Sequence, residues 1–162
     1  MKNASEIDFS MVIRRAKERF SLSRRSVHGI GHWQRVHENG IRLSAVTGAD
    51  RDLVHLFSFL HDCCRETDFS DPDHGYRAAE FTESLVEEAV ITLEQERLEL
   101  LLEAIREHNN GTRHRDPTIG TCWDADRLDI GRVGFRPQPR FLSTKAARDE
   151  RILEWAYKRS RV

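Results

Sequence analysis

The stretch LVHLFSFLHD (residues 53–62) decides the fold, because it ends an apolar helix with an adjacent imidazole and carboxylate. Asp50 is the expected N-cap, and apolar residues follow it at helical spacing. Burying His61 and Asp62 costs free energy unless a partner organises them. A metal ion is such a partner, since neutral imidazole nitrogen and carboxylate oxygen both bind Zn, Mn, Fe or Ni. The alternatives are a hydrogen-bonded His–Asp pair or a helix C-terminal histidine.

Composition restricts the chain to one compact domain. Its 162 residues are 38% hydrophobic and 33% charged, with a formal net charge of -1, which argues against charge-driven binding of bulk nucleic acid. The three cysteines include the vicinal Cys63-Cys64 and form no disulfide pattern, so we expect a cytoplasmic protein. The N-terminal MKNASEIDFS lacks the apolar core of a signal peptide, and no run reaches the roughly 18 apolar residues of a membrane span. We therefore expect no membrane association.

Helical periodicity continues through the rest of the sequence, and strand signals are nearly absent. The predicted helices cover residues 8–20, 30–47, 51–62, 122–134 and 144–159. Two more are predicted between them: one with Asp71 as its N-cap and Pro72 at its first position, and one that the capping box Thr92/Gln95 starts. We predict a single all-α domain over residues 1–162. Its core spans about residues 25–135, the C-terminal helix 144–159 packs on that core, and loops near 63–75 and 107–120 shape a site.

Candidate metal ligands stand on separate predicted helices. His32 lies in GHWQRV, His61 and Asp62 end the apolar run, and Asp126 lies in DADRLD. Ligands that come from several helices converge in the centre of a helical bundle. We therefore expect a metal site there.

These segments resemble a known family. The ordered set HGIGHWQRV, FLHDCCRETD, DHGYRAA, IREHN and CWDADRLD is similar to the HD superfamily of metal-dependent phosphohydrolases, over about residues 25–135. The family has an all-helical core, and its signature is one His, an adjacent His-Asp pair and a distant Asp. His32, His61, Asp62 and Asp126 match that signature. The resemblance is to small stand-alone bacterial HD proteins, and it implies a reaction class but no particular substrate.

Two further histidines bear on the number of metal ions. Some branches of the superfamily place two histidines between the His-Asp pair and the last Asp, and these bind a second metal. His74 begins a predicted helix and His108 ends one, so both could complete such a site, although His108 could instead interact with the helix dipole. One-metal and two-metal sites both stay open. We assign four other histidines by default as structural or surface residues: His28, His37, His55 and His114. The assignment of His28 is the least secure of the four, because it lies one turn before His32.

Charged residues beside the candidate ligands suit an anionic substrate. Arg65, Arg77 and Arg127 each lie near a ligand segment, and guanidinium groups bind phosphate oxygens well, although each could form only a surface ion pair. Glu66 could act as a general acid or base, or be a solvated carboxylate. Guanosine-tetraphosphate-type HD hydrolases have an acidic pair where this chain has Arg65-Glu66, which disfavours that substrate.

The sequence thus predicts a metal-dependent phosphohydrolase that acts on a small phosphorylated metabolite or nucleotide. One or two divalent ions (Mn, Fe, Zn, Ni or Mg) would activate the attacking water, with Asp62 as a catalytic ligand. The partner is a small anionic phosphorylated substrate, and the sequence leaves the oligomeric state open. Two alternatives are a di-iron oxygenase of the same superfamily and a metal-binding or ligand-binding module without turnover.

Overall fold

Helices make up almost all of the regular structure in residues 6–161, the part of the chain that the computed structural model describes. The order is β1 (Glu6–Ile7), α1 (Phe9–Arg19), α2 (Ile30–Thr47), α3 (Arg51–Leu60), α4 (His74–Glu87), β2 (Ile91–Thr92), α5 (Gln95–Glu107), α6 (Pro117–Arg127), 3-10 helices Ile130–Val133 and Pro139–Phe141, and α7 (Glu150–Ser160). The all-α prediction is confirmed. Residues 1–5 and 162 of the predicted domain lie outside the described residues.

Helix α3 is the centre of this arrangement. The Asp50 carboxylate accepts the backbone N–H groups of Asp52 and Leu53, at 3.1 and 3.2 Å, as the sequence predicts. The seven residues from Leu53 to Leu60 other than His55 are all buried. Because α3 is apolar on nearly every side, α1, α2, α5 and α6 can all pack against it. Helix α2 also packs on α6, and α4 packs on α5.

A second, smaller apolar cluster carries the C-terminal helix. Leu153 and Ala156 of α7 pack with Leu43 of α2 and with Leu128 and Leu142. Near the other end of the chain, β1 pairs antiparallel with β2 through Glu6 with Thr92 and Ile7 with Ile91. None of the described helices combines the length and apolar content needed to cross a bilayer.

Several helix starts differ from the sequence prediction. Helix α4 begins at His74 and not at Pro72, because the Asp71 carboxylate, the predicted N-cap, is taken by Arg77 and by the backbone N–H of Glu66. Helix α5 follows Glu94, since Thr92 belongs to β2.

The last two helices also differ from prediction. Helix α6 starts at Pro117, five residues before the predicted 122–134 helix, because Asp116 caps it and Pro117 occupies its first position. Helix α7 starts at Glu150 and not at residue 144, because Asp149 accepts the backbone N–H of Arg151. Residues 144–149 instead form turns that are anchored to Asp124.

Glycines let two helix pairs approach closely. A Cβ atom at Gly40 of α2 would collide with the Val54 side chain of α3. A Cβ atom at Gly75 of α4 would lie 2.6 Å from the carbonyl oxygen of Arg106 and 2.8 Å from that of Ile105. Backbone atoms of a helix end cannot yield as a flexible side chain can. Gly75 therefore sets how close the start of α4 comes to the end of α5.

We expect Gly75→Ala to lower the free energy of unfolding by about 1–3 kcal/mol, because it overpacks the α4–α5 contact. Gly31→Ala on α2 is the matched control, since its Cβ would meet only a flexible Arg35 nitrogen at 3.6 Å. That change should be neutral or add about 0.5–1 kcal/mol through helix propensity. Urea denaturation measures both. Equal stability of the two variants would show that the α4–α5 contact is not tight.

Candidate metal centre

Six side chains from five helical segments meet in the interior. His32 comes from α2, His61 and Asp62 follow α3, and three more come from α4, the end of α5 and α6: His74, His108 and Asp126. Their ligand atoms form three overlapping triplets, each within 4.8 Å: His32, His61 and Asp62; His61, His108 and Asp126; Asp62, His74 and His108. The structure therefore brings together every residue that the sequence predicts as a metal ligand.

One half of the cluster surrounds His32 and His61. Their Nε2 atoms lie 3.2 Å apart. Asp126 Oδ1 is 3.1 Å from His32 Nε2 and 3.5 Å from His61 Nε2. Asp62 Oδ2 lies 3.4 Å from His32 Nε2 and 3.6 Å from His61 Nε2. Two imidazole nitrogens and two carboxylate oxygens thus face one point.

The other half of the cluster uses the second oxygen of Asp62. Asp62 Oδ1 lies 3.1 Å from His74 Nε2 and 3.5 Å from His108 Nε2, and the two Nε2 atoms are 2.8 Å apart. Oδ2 of Asp62 thus faces one half of the cluster and Oδ1 faces the other, so this carboxylate is shared by both halves.

Backbone carbonyls fix the ring tautomers. A carbonyl oxygen can only accept a hydrogen bond, so the ring nitrogen that faces it must carry the proton. The Nδ1–H groups of three histidines donate in this way: His61 to Phe57 O at 3.0 Å, His74 to Asp71 O at 2.5 Å, and His108 to Ile105 O at 2.7 Å. In the neutral rings, Nε2 therefore carries a lone pair that points into the cluster. Facing lone pairs repel unless a proton or a metal ion lies between them, so the donor set fits a divalent cation.

Electrostatics keep the central carboxylate charged. Burial alone would raise the pKa of the Asp62 carboxyl. The neighbouring imidazoles outweigh burial and hold the pKa well below its usual range; they are His61, His108, His28 and His32. Asp126 behaves alike: burial raises its pKa, and hydrogen bonds from His32 and His61 hold it well below the usual range. Both carboxylates are therefore ionised and available to a cation.

Asp129 is a buried supporting residue that the sequence analysis missed. Its Oδ2 accepts from His32 Nδ1 at 2.7 Å, and Arg35 binds the same carboxylate at 2.7 and 3.1 Å. Burial alone would lower the pKa of His32, but hydrogen bonds to Asp126, Asp129 and Asp62 raise it to about 9. The sequence pointed to Asp129 only through its position, one turn after Asp126 in DADRLD.

His28 also belongs to the site, although its default assignment was structural or surface. Its Nδ1 lies 3.1 Å from Asp62 Oδ2, and its side chain is 10% exposed. Its place one turn before His32 was the available signal. The other three histidines in that default group lie elsewhere. His37 and His55 stack beside Phe59, and His114 pairs with Glu103 at 3.1 Å.

Two of the three candidate phosphate-binding arginines hold loops. Arg77 binds both oxygens of Asp71 at 2.7 Å and donates to the Cys64 carbonyl. Arg127 donates to the backbone carbonyls of Thr112, Phe141 and His108.

Arg65 has a different environment. Its Nη1 donates to the carbonyls of Thr67 and Phe69, while its Nε lies 3.5 Å from Asp62 Oδ1. That Nε is buried and has no hydrogen-bond partner among the described residues. Glu66 is mostly exposed beside Arg77, and none of the described hydrogen bonds or ion pairs joins it to the cluster. Of these charged groups, Arg65 therefore has the free donor nearest the cluster.

The helices and their buried His–Asp cluster define an all-α fold of the HD type. A solved structure with this fold is that of a predicted HD superfamily hydrolase from an uncultured Thermotogales bacterium. The two share 24% sequence identity with a TM-score of 0.73, over 94% of this chain and 86% of that chain. The likeness confirms at the level of fold the resemblance seen in the sequence. No protein-family model and no curated protein matches the chain.

Proposed function

We propose that this protein is a metal-dependent hydrolase of the HD type that cleaves phosphate esters or anhydrides of small metabolites or nucleotides. One observation carries the proposal: the inward Nε2 atoms of His74 and His108 meet at 2.8 Å beside Asp62, with both Nδ1–H groups committed to carbonyls. Such a donor set supports a resident cation. The description of the structural neighbour as a predicted HD superfamily hydrolase supports hydrolysis.

Two divalent ions fit the proposed ligand set. His32, His61, Asp62 and Asp126 would hold the first ion, and Asp62, His74 and His108 the second. Four imidazoles favour Mn, Fe, Zn or Ni over Mg, which prefers oxygen ligands. A bound ion supplies Lewis-acid stabilisation of a phosphoryl oxygen and a lowered pKa of water.

The protein groups around the ions have separate roles in this proposal. Asp62 bridges the two halves, and His28 steadies its Oδ2 by the 3.1 Å contact. Asp129 keeps the His32 ring oriented with Nε2 inward. Arg65 Nε would be the donor to a phosphoryl oxygen, since it lies 3.5 Å from Asp62 Oδ1 and has no hydrogen-bond partner among the described residues. Arg77 and Arg127 contribute positive charge while holding the loops, and Glu66 would need to move to reach a substrate.

A di-iron oxygenase is the second candidate. Six His and Asp ligands, of which the Asp62 carboxylate is shared by both halves of the cluster, resemble the oxygenase branch of the superfamily as well as the hydrolase branch. A binding module without turnover is the third candidate. A small anionic substrate remains the proposed partner, because the net charge of -1 gives no general attraction to nucleic acid. Three buried free thiols support a reducing, cytoplasmic location.

The number of metal ions tests the ligand assignment. Elemental analysis of Mn²⁺-loaded, desalted protein should give about two ions for wild type and about one for His74→Ala, because the second half then keeps only Asp62 and His108. His114→Ala is the matched control and should keep two, since its ring pairs with Glu103 away from the cluster. Asp62→Ala should lose both ions while circular dichroism still shows helix. Absence of bound metal in the wild type would sink the ligand assignment.

Support from Asp129 can be tested separately. We expect Asp129→Asn to weaken binding of the first ion by about 10–100-fold, because the neutral amide no longer enforces the His32 tautomer. The affinity for the second ion should not change. Calorimetric titration of metal-free protein with Mn²⁺ measures both affinities. Asp52→Asn, an exposed carboxylate on α3, is the control. Unchanged affinity for the first ion would mean that His32 is oriented without Asp129.

Hydrolysis itself can be separated from oxygenase chemistry. Mn²⁺-loaded protein should release phosphate from a panel of monoesters, diesters and pyrophosphates at the same rate in air and under nitrogen. Asp62→Ala should lower the rate of phosphate release by more than the roughly 10–100-fold that follows when a residue supporting a metal ligand is removed. Asp52→Ala should keep the full rate. Turnover that requires both iron and oxygen would favour the oxygenase. Metal binding with no turnover of either kind would favour the binding module.

A further inference from the structure

A cavity with cationic walls lies at the opposite end of α2 from the candidate metal ligands. Its volume is about 650 Å³, within the range of small-molecule sites. The end of α2, the loop that leads into α6 and the segment after the second 3-10 helix form its walls: residues 46–47, 113–117 and 143–146. Thr47 lies fifteen residues after His32 on α2, which corresponds to roughly 22 Å along the helix axis. The cavity is therefore separate from the metal centre.

Hydrogen bonds hold the walls of this cavity in place. The backbone N–H of His114 donates to Ser143 Oγ at 3.0 Å, which joins two of the walls. The Asp124 carboxylate of α6 accepts the backbone N–H groups of Ser143 and Thr144, at 2.6 and 2.8 Å. A Cβ atom at Gly120 of α6 would lie 3.0 Å from Ser143 Cβ and 3.2 Å from the His114 carbonyl oxygen, so both walls pack closely on this helix. The cavity is therefore preformed by the fold.

Three cationic side chains line the cavity without an acidic partner. Arg113, Arg115 and Lys145 are exposed, and within residues 6–161 none of these side chains forms an ion pair or a hydrogen bond. Asp116 is the one carboxylate among the described lining residues, and its Oδ1 accepts two backbone N–H groups at the start of α6. Cations gathered at one cavity repel each other, and an anion bound between them replaces that repulsion by attraction. The charge pattern therefore fits an anionic ligand.

An uncharged donor adds to these cations. Ser143 Oγ accepts from the backbone of His114, and its own O–H has no acceptor among the described hydrogen bonds. A hydroxyl group carries one proton, which it can donate to a ligand oxygen. The His114 ring is used elsewhere, because its Nε2 lies 3.1 Å from Glu103 Oε1. A ligand in the cavity would therefore meet the three cations and the Ser143 hydroxyl.

We propose that this cavity is a binding site for a small molecule with two or more phosphate groups, held by Arg113, Arg115 and Lys145. Guanidinium groups bind phosphate oxygens through two parallel hydrogen bonds, and an ammonium group binds them as a compact charge. Three cations match a ligand that carries more than one phosphate group. The site is independent of the proposed function, because neither the metal cluster nor hydrolysis takes part in it.

Equilibrium binding of inorganic tripolyphosphate and inorganic phosphate tests this. Calorimetry uses the full-length, metal-free protein, because tripolyphosphate itself binds Mn²⁺ and the proposed metal centre would hydrolyse it. Tripolyphosphate should bind at least about ten-fold more tightly than phosphate, since it can contact more than one cation. Arg113→Gln, Arg115→Gln and Lys145→Gln should each weaken its binding by about ten-fold or more, the usual effect of losing one hydrogen bond between charged groups.

Arg14→Gln is the matched control for loss of a positive charge. The Arg14 side chain is 61% exposed on α1 and does not line the cavity, so this variant should change the affinity by less than about two-fold. All four substituted residues are exposed, so the variants should fold, and circular dichroism verifies this.

Two substitutions of Val46 separate charge from shape. Val46 is 74% exposed and lines the cavity at the end of α2. Glutamate and glutamine have nearly the same size there, and only glutamate adds a negative charge. Val46→Glu should therefore weaken tripolyphosphate binding by at least about ten-fold, whereas Val46→Gln should change it by less than about three-fold.

Three outcomes overturn the inference. The first is absence of tripolyphosphate binding by the wild type. The second is an equal loss of affinity in Arg14→Gln and in the cavity variants, since general attraction to a charged surface would then explain the binding. The third concerns Asp62→Ala, which should bind tripolyphosphate as tightly as wild type does. Loss of binding in that variant would place the ligand at the metal cluster and not in this cavity.

Discussion

Burial of the Asp62 carboxylate is the constraint on which the rest of the structure depends. A buried, ionised carboxylate costs several kcal/mol unless positive or donor groups surround it. Here imidazoles approach both of its oxygens, His28 and His32 at Oδ2, His74 and His108 at Oδ1. They come from α2 and the residues just before it, from α4, and from the end of α5. The helices must therefore be arranged so that these segments meet at the end of α3.

Three of the imidazoles are oriented by the same local rule. His61, His74 and His108 each lie at the start or end of a helix and donate Nδ1–H to a carbonyl three or four residues earlier in the chain. The rule needs no distant partner, because each accepting carbonyl lies only three or four residues away in the chain. His32 lies in the first turn of α2, and its Nδ1 is held by the distant Asp129 instead. This difference makes His32 the imidazole whose orientation depends most on tertiary structure.

The same distinction explains what could be predicted from the sequence. The helix α3, its cap Asp50 and the six candidate ligands could be identified, because each lies in a local pattern or in a segment that resembles a known family. Asp129 and His28 were missed since their partners lie 97 and 34 positions away in the chain. The starts of α4 and α7 were misplaced for a related reason. Asp71 is engaged by Arg77, and residues 143–144 are held by Asp124, so neither segment was free to follow its local helix signal.

Use of arginines to hold loops limits how this site can recognise a ligand. Arg77 and Arg127 spend their N–H groups on Asp71 and on backbone carbonyls, which fixes the loops that follow α3 and α5. Arg65 has one free buried donor beside Asp62. In the proposed function, a phosphate group would then be bound mainly by the metal centre, which cannot distinguish one phosphate ester from another. Selectivity would then have to come from contacts between the protein and the rest of the substrate.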